Sequence, residues 1–174
     1  RICLVGSEMC IRDRLLADHG AEVIKIESAE GDSSRRSGPF KEHDLKRNWS
    51  GYFVSLNRNK KSISLNLKNG DDLAFFKKLI EKSDVLVENF RPGVMNRLGL
   101  SFDEVSKINP TIVYGSISGF GSDIFGESPY KNWPSYDVVA QAMGGLISLT
   151  GYDEENPLKV GPGIADIFSG TLLS

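Results

Sequence analysis

Asp166 stands just after Gly161-Pro162-Gly163, in the first turn of an apolar run that reads as a helix from Ile164. A carboxylate there lies near the positive end of the helix dipole, which favours its ionised form. Ionised aspartate is the form that attacks an acyl group in covalent catalysis. Aspartate is also an ordinary helix-capping residue, and on residue type alone the cap is its commoner role. The signatures of other chemistries are missing: no GxGxxG follows a strand, and there is no Walker loop, no GxSxG elbow and no HExxH. Gly115 to Gly121 (GSISGFG) has the wrong spacing for a dinucleotide loop and reads as a turn. His19 and His43 are the only histidines, and a strand and a loop separate them. Both read as surface side chains, so histidine catalysis is not expected here.

The elements that would have to position such a carboxylate alternate along the chain. Leu15 to Gly20 is the end of a helix closed by glycine, and Glu22 to Glu27 (EVIKIE) is a strand. Ala29 to Asn48 is polar and glycine-containing, a surface loop of a length that usually carries function. Ser62 to Leu67 alternates with period two, as a strand does. Leu73, Phe76, Leu79 and Ile80 then recur at helical spacing. Asp84 to Glu88 (DVLVE) is a short buried strand. Pro92 suits the first turn of a helix ending near Arg97-Leu98-Gly99. Ser101 and Glu104 form a capping box, Asn109-Pro110 stops that helix, and Thr111 to Ser118 is the next strand. Tyr136 to Leu149 is apolar at helical intervals, broken at Gly144-Gly145, and Gly151 to Gly163 is a second long loop. Helix and strand in this order predict an α/β fold: a doubly wound, mostly parallel sheet with helices on both faces.

The chain has 174 residues, 40% hydrophobic and 25% charged, within the range of one soluble domain. A net charge of -2 with scattered basic residues gives no footprint for nucleic acid. No apolar run approaches the roughly 20 residues that cross a bilayer. Leu4 to Asp13 (LVGSEMCIRD) matches one reading frame of a transposase sequencing adapter, so residues 1–14 are set apart as a scar. Residues up to Asp13 are then expected to pack poorly and to carry no functional contact. Setting them apart removes both cysteines, Cys3 and Cys10, from chemical argument. At the other end the chain stops at Ser174 inside a helix-like stretch, which reads as a truncation.

Four stretches carry a resemblance: LLADHGAEVIKIESAEGDSSR (15 to 35), NRNKKSISLNLKNG (57 to 70), VENFRPGVMNRLGL (87 to 100), and YDVVAQAMGGLISLTG followed by GPGIADIFSG (136 to 170). In that order they resemble the class III CoA-transferase family, also called the carnitine and bile-acid CoA-transferase family. The resemblance covers Leu15 to Ser174 and implies the N-terminal part of a CoA-binding, Rossmann-like large domain, in a family whose full chain is more than twice this long. It implies transfer of coenzyme A from an acyl-CoA to a free carboxylate, with Asp166 as the nucleophile that carries an aspartyl-CoA intermediate. Arg35, Leu65, Lys68, Asn89, Phe90 and Arg97 match the family's CoA-binding positions, and cations with helix-start N–H groups suit the phosphates of CoA. Tyr136 lines the CoA pocket on this reading. The racemases that share the fold place a histidine base there, so the transferase branch is favoured over the racemase or epimerase alternative; an inactive CoA-binding fragment is a third reading. Some transferases have a lysine two residues before this tyrosine, where this chain has Pro134, with Lys131 the nearest lysine. The resemblance further implies acyl-CoA and carboxylate substrates, no permanently bound cofactor or metal, and an interlocked homodimer in the full-length protein. The NRNKKSI stretch resembles members that act on dicarboxylates. The cytoplasm is the expected location, with mitochondrion or peroxisome open for a eukaryotic source.

Overall fold

The structure, a computed structural model, describes residues 1–5, 10–121 and 126–174. The described residues form five strands: β1 (Ile2–Val5), β2 (Val23–Glu27), β3 (Lys60–Ser64), β4 (Val85–Glu88) and β5 (Val113–Ser116). Every pairing is parallel and the order across the sheet is β3-β2-β1-β4-β5. Parallel neighbours need long crossovers. These are supplied by α1 (Cys10–Asp18), by a 3-10 turn (Ser33–Arg36) with α2 (Gly51–Asn57), by α3 (Gly70–Ile80), and by α4 (Val94–Arg97) with α5 (Phe102–Ile108). The chain winds outward from β1 to β3, returns to β4 on the other side of β1, and continues to β5. This is the expected doubly wound sheet, and ligands of such sheets bind beyond the carboxyl ends of the strands, where the order reverses.

Alternation along the strands divides the core in two. Ile2, Val23 and Val87 pack with Ala17 of α1 on one face. Cys3, Ile26 and Leu86 pack on the other with Phe76 and Ile80 of α3 and Val105 of α5. Phe76, Ile80, Leu86, Leu100 and Val105 are all 0% exposed, and each such side chain stabilises the fold by about 1.5–3 kcal/mol. The ends of the helices are fixed by side chains. Asn69 Oδ1 accepts from the amides of Asp71 and Asp72, and Ser101 Oγ accepts from that of Glu104. Gly20, which closes α1 after Asp18, has φ +94°, the left-handed conformation that favours glycine. Pro92 lies just before α4 rather than inside it, because Gly93 caps that helix with φ +79°. Among the described residues no helix is long and apolar enough to cross a membrane.

The expectation that residues up to Asp13 pack poorly is corrected. Ile2–Val5 is the central strand, paired on one side with β2 and on the other with β4. Ile2, Cys3, Cys10, Arg12 and Asp13 are all buried. The slot between β2 and β4 asks only for extended backbone with an apolar side chain on each face, and Ile2 with Cys3 meets that demand. Residues 6–9 of the same segment lie outside the described residues. Lys25 of β2 pairs with Asp32 beneath α1, and its Nζ donates to Asn57 Oδ1 at 3.0 Å. Lys60 Nζ donates to the carbonyl of Cys10 at 3.0 Å and stands 3.7 Å from Asp13. Arg12 donates to Asp13 through Nε and Nη2, while its Nη1 is buried with no hydrogen-bond partner.

Two bonding clusters generate predictions. Asn109 is buried; its Nδ2 donates to the carbonyls of Ile80 (3.0 Å) and Ser83 (2.7 Å), and its Oδ1 accepts from the amide and hydroxyl of Thr111 (3.2 and 3.0 Å). The side chain ties the end of α3 to the approach to β5, so Asn109→Ala should destabilise by about 2–3 kcal/mol, seen as a lower urea midpoint at an unchanged m-value. Arg35 makes a two-point bond to Glu27 (2.8 Å at each oxygen). Burial pushes the Glu27 carboxyl up, but Arg35, Ser62 and the Asp32 amide outweigh it and hold it at about 2. A depressed carboxyl contributes stability above its ordinary value near 4.5, and that contribution is lost as pH falls toward 2. In Arg35→Met the Glu27 titration should therefore move upward by NMR, and acid unfolding should begin at higher pH.

Candidate active site

Beyond β5 the chain builds a helical layer: α6 (Asp137–Met143), α7 (Leu146–Leu149) and α8 (Ile164–Leu172). The break between α6 and α7 falls where the sequence has two glycines, and Gly145 takes φ +79°. Helix α8 lies against both α1 and α6. Its Gly170 is buried with its Cα facing Ile11 and Arg12. This packing brings the first turn of α8 to the carboxyl edge of the sheet.

A cavity of about 370 Å³ opens between that turn and the sheet edge, within the size range of small-molecule sites. Asn89 and Phe90 enter it from the end of β4, and Ile117, Ser118 and Gly119 from the end of β5. Lys131 and Trp133 to Tyr136 form the wall before α6, and Ala165, Asp166 and Ser169 face it from α8. The two walls meet at Gly119: a Cβ there would stand 2.0 Å from the Cβ of Ser135, so only glycine fits. Tyr130 packs edge-on to Trp133, ring centres 4.9 Å apart, and the Phe120 ring lies 5.7 Å from that of Tyr130. Behind the cavity Glu88 is buried at the end of β4 and its Oε2 accepts from the amide of Phe90 at 2.8 Å, fixing the turn. Burial pushes the Glu88 carboxyl up, against the bonds from Ser116 and Phe90. Burial also pushes the nearby Tyr114 phenol up.

The start of α8 is held from α6. Asp137 Oδ1 accepts from the amide of Ala165 at 2.9 Å, and its Oδ2 accepts from Gln141 Nε2 at 2.7 Å. Gln141, 2% exposed, also accepts from the amide of Val160 at 2.8 Å and donates to the carbonyl of Pro162 at 3.4 Å. A methyl group on Gly163 would stand 3.5 Å from Asp137 Cγ and 3.6 Å from Asp166 Oδ2, so the two carboxylates flank one glycine.

Of the residues expected from the sequence, the cavity brings together Asp166, Asn89, Phe90 and Tyr136. Arg35, Leu65, Lys68 and Arg97 do not line it. Arg35, Leu65 and Lys68 follow β2 and β3, on the same carboxyl edge of the sheet. The Arg35 guanidinium lies 3.8 Å above the Phe53 ring and 5.2 Å from that of Trp49. Leu65 packs against the core and its amide donates to the carbonyl of Glu27 at 2.9 Å. Lys68 is exposed, and so is Arg97 at the end of α4. Sequence reasoning missed Trp133, Gly119 and the Asp137–Gln141 pair. Aromatic residues at every third position (Tyr130, Trp133, Tyr136) were the available signal for the wall. Lys131 lines the cavity beside Pro134, which occupies the position where some transferases have lysine.

A family model described as CoA-transferase family III matches residues 11–174. The chain is 42% identical over 158 residues to a succinyl-CoA:mesaconate CoA-transferase of Haloarcula marismortui, covering 91% of this chain and 40% of that protein. It is 48% identical over 158 residues to a formyl-CoA:oxalate CoA-transferase of Streptomyces coelicolor, covering 91% of this chain and 36% of that protein. The chain thus spans well under half the length of these curated relatives. The crystal structure of a CAIB/BAIF family protein from Brucella suis superposes with a TM-score of 0.88 at 34% identity, covering 98% of this chain and 45% of that one. The parallel sheet reversing at β1, the carboxylate on the first turn of α8 and a family match from residue 11 to the last residue agree: this chain belongs to CoA-transferase family III.

Proposed function

We propose that the intact protein transfers coenzyme A from an acyl-CoA to a free carboxylate, with Asp166 as the covalent carrier. The observation that carries this reading is the position of Asp166: on the first turn of α8, facing a cavity at the carboxyl edge of the sheet with Asn89, Phe90 and Tyr136. The N-terminal dipole of α8 favours an anion there. A carboxylate oxygen of Asp166 attacks the thioester carbonyl of the donor; the C–S bond breaks, leaving a mixed anhydride and the CoA thiolate. The thiolate attacks the aspartyl carbonyl and expels the donor acid as a carboxylate, so CoA is held on Asp166 as a thioester. The acceptor carboxylate then attacks that thioester, and the returning thiolate attacks the acceptor's acyl carbon, restoring the Asp166 carboxylate. The thioester energy is conserved throughout, provided the cavity walls keep water from the anhydride.

Arg35, Leu65, Lys68 and Arg97 extend the CoA site along the sheet edge beyond the cavity, which suits a ligand longer than the cavity itself. Lys131 lines the cavity, three residues before the position where some transferases have lysine. Oxalate and mesaconate, in the names of the relatives, are both dicarboxylates. That supports a dicarboxylate acceptor, and the cations Lys131 and Arg91 in the cavity lining are of the type that binds a second carboxylate. The intact enzyme works as a homodimer on acyl-CoA and carboxylate substrates, with no permanently bound cofactor.

In the full-length protein Asp166→Asn should lower kcat by about 10³-fold or more, a loss of roughly 4 kcal/mol of transition-state stabilisation. Asparagine keeps the shape of the side chain and has no anionic oxygen, so stability should fall by no more than about 1 kcal/mol, the worth of a negative charge in a first helical turn. Hydroxylamine added during turnover with acyl-CoA should convert the side chain of Asp166 to a hydroxamate, located by peptide mass spectrometry. Modification elsewhere, or near-normal turnover by the asparagine variant, overturns the reading.

A further inference from the structure

We propose that Gln141 is a positioning residue for Asp166: through Asp137 and the 160–163 loop it holds the first turn of α8 against α6, and thereby sets where the Asp166 carboxylate stands in the cavity. The inference rests on Asp166 being the nucleophile, and it concerns a side chain that does not line the cavity.

Three features of Gln141 lead to it. It is a polar side chain buried to 2% exposure on a helix whose neighbours at 138 and 143 are exposed apolar residues. Such burial is unfavourable unless the amide is bonded, and here both ends are. Its oxygen accepts from Val160 and its nitrogen donates to Asp137 and the Pro162 carbonyl. Finally, those partners converge on one place. Val160 and Pro162 belong to the loop leading into α8, and Asp137 receives the amide of Ala165, the residue before Asp166. Helix α8 starts at Gly163 without a side-chain cap of its own, so Asp137 acts as a cap supplied by another helix, oriented by Gln141. The N–H to Asp137 also keeps that carboxylate turned to Ala165 and compensates a second negative charge close to Asp166.

A covalent catalyst must meet the thioester carbon at bonding distance, and misplacement by about 1 Å costs on the order of 100-fold. In the full-length protein Gln141→Met, which keeps the length and bulk of the side chain but none of its hydrogen bonds, should lower kcat by about 10- to 100-fold, with the KM for the acyl-CoA donor changed by less than about threefold. The amides of Val160 and Ala165 should exchange with deuterium faster, read in the 160–166 peptide. Hydroxamate should still form at Asp166, slowed by the same factor as kcat. Should Gln141→Met fail to fold, Gln141→Glu keeps the acceptor for Val160 and removes the donor to Asp137, and the same split is expected. An unchanged kcat, an unchanged exchange rate at 160–166, or a rise in KM equal to the fall in kcat overturns the positioning role. Failure of the nucleophile reading is seen separately, as a wild-type enzyme that forms no hydroxamate at Asp166.

Discussion

Every other element depends on the double ladder of β1. A parallel strand inside a sheet turns the N–H and C=O of alternate residues to one neighbour and those of the residues between to the other, and among the described residues β1 alone pairs with both β2 and β4. Strands sit about 4.8 Å apart, so without β1 the two halves of the sheet stand two spacings from each other and share no hydrogen bond. The two packed faces depend on the same strand, since Ile2 joins the core under α1 and Cys3 the core under α3 and α5. The reversal of strand order beside β1 also places the exits of β4 and β5 next to the α6–α8 layer, and the cavity forms where they meet.

Charge inside the fold is organised in two different ways. Beneath α1 and α2, Lys25, Lys60, Asp13 and Asp32 are buried and close to one another, and Arg35 with Glu27 forms a forked pair roofed by Phe53. These groups neutralise one another, and buried pairs of this kind specify an arrangement more than they add stability. At the cavity the carboxylates face the other way: Asp137 is saturated by an amide and a side-chain nitrogen, while Asp166 stands on the cavity wall. A single glycine, Gly163, lies between the two carboxylates.

Much of the fold was legible because its signals are local. The strand at Val23–Glu27, the helix at Gly70–Ile80 with its Asn69 cap, the Ser101 cap, and the break at Gly144-Gly145 are each fixed by the residue types at the spot. Strand β3 starts two residues earlier than its alternation predicts, at Lys60, because register against β2 and not hydropathy decides its limits. Strand β1 is illegible from resemblance, which begins at Leu15; the sheet asks of it only extended backbone with Ile2 on one face and Cys3 on the other. The burial of Lys25 was equally illegible, since its partners Asp32 and Asn57 stand 25 residues apart, at opposite ends of the β2–β3 crossover. Of the residues that line the cavity, Asp166, Asn89, Phe90 and Tyr136 are ones the motif resemblance names. Gln141 was not: an alanine-flanked glutamine in a helix looks solvent-facing until the loop from 160 to 163 folds over it.

The contact between Gly119 and Ser135 constrains what the chain can become. Since even a methyl group at 119 would overlap Ser135, that position has an alphabet of one letter. The aromatic wall that faces it, by contrast, is built from side chains on a loop and is bound by no ladder. The shape of the cavity is therefore set from one side: a new side chain at 130, 131 or 133 alters the wall, while the turn after β5 is held as the anvil against which that wall is formed.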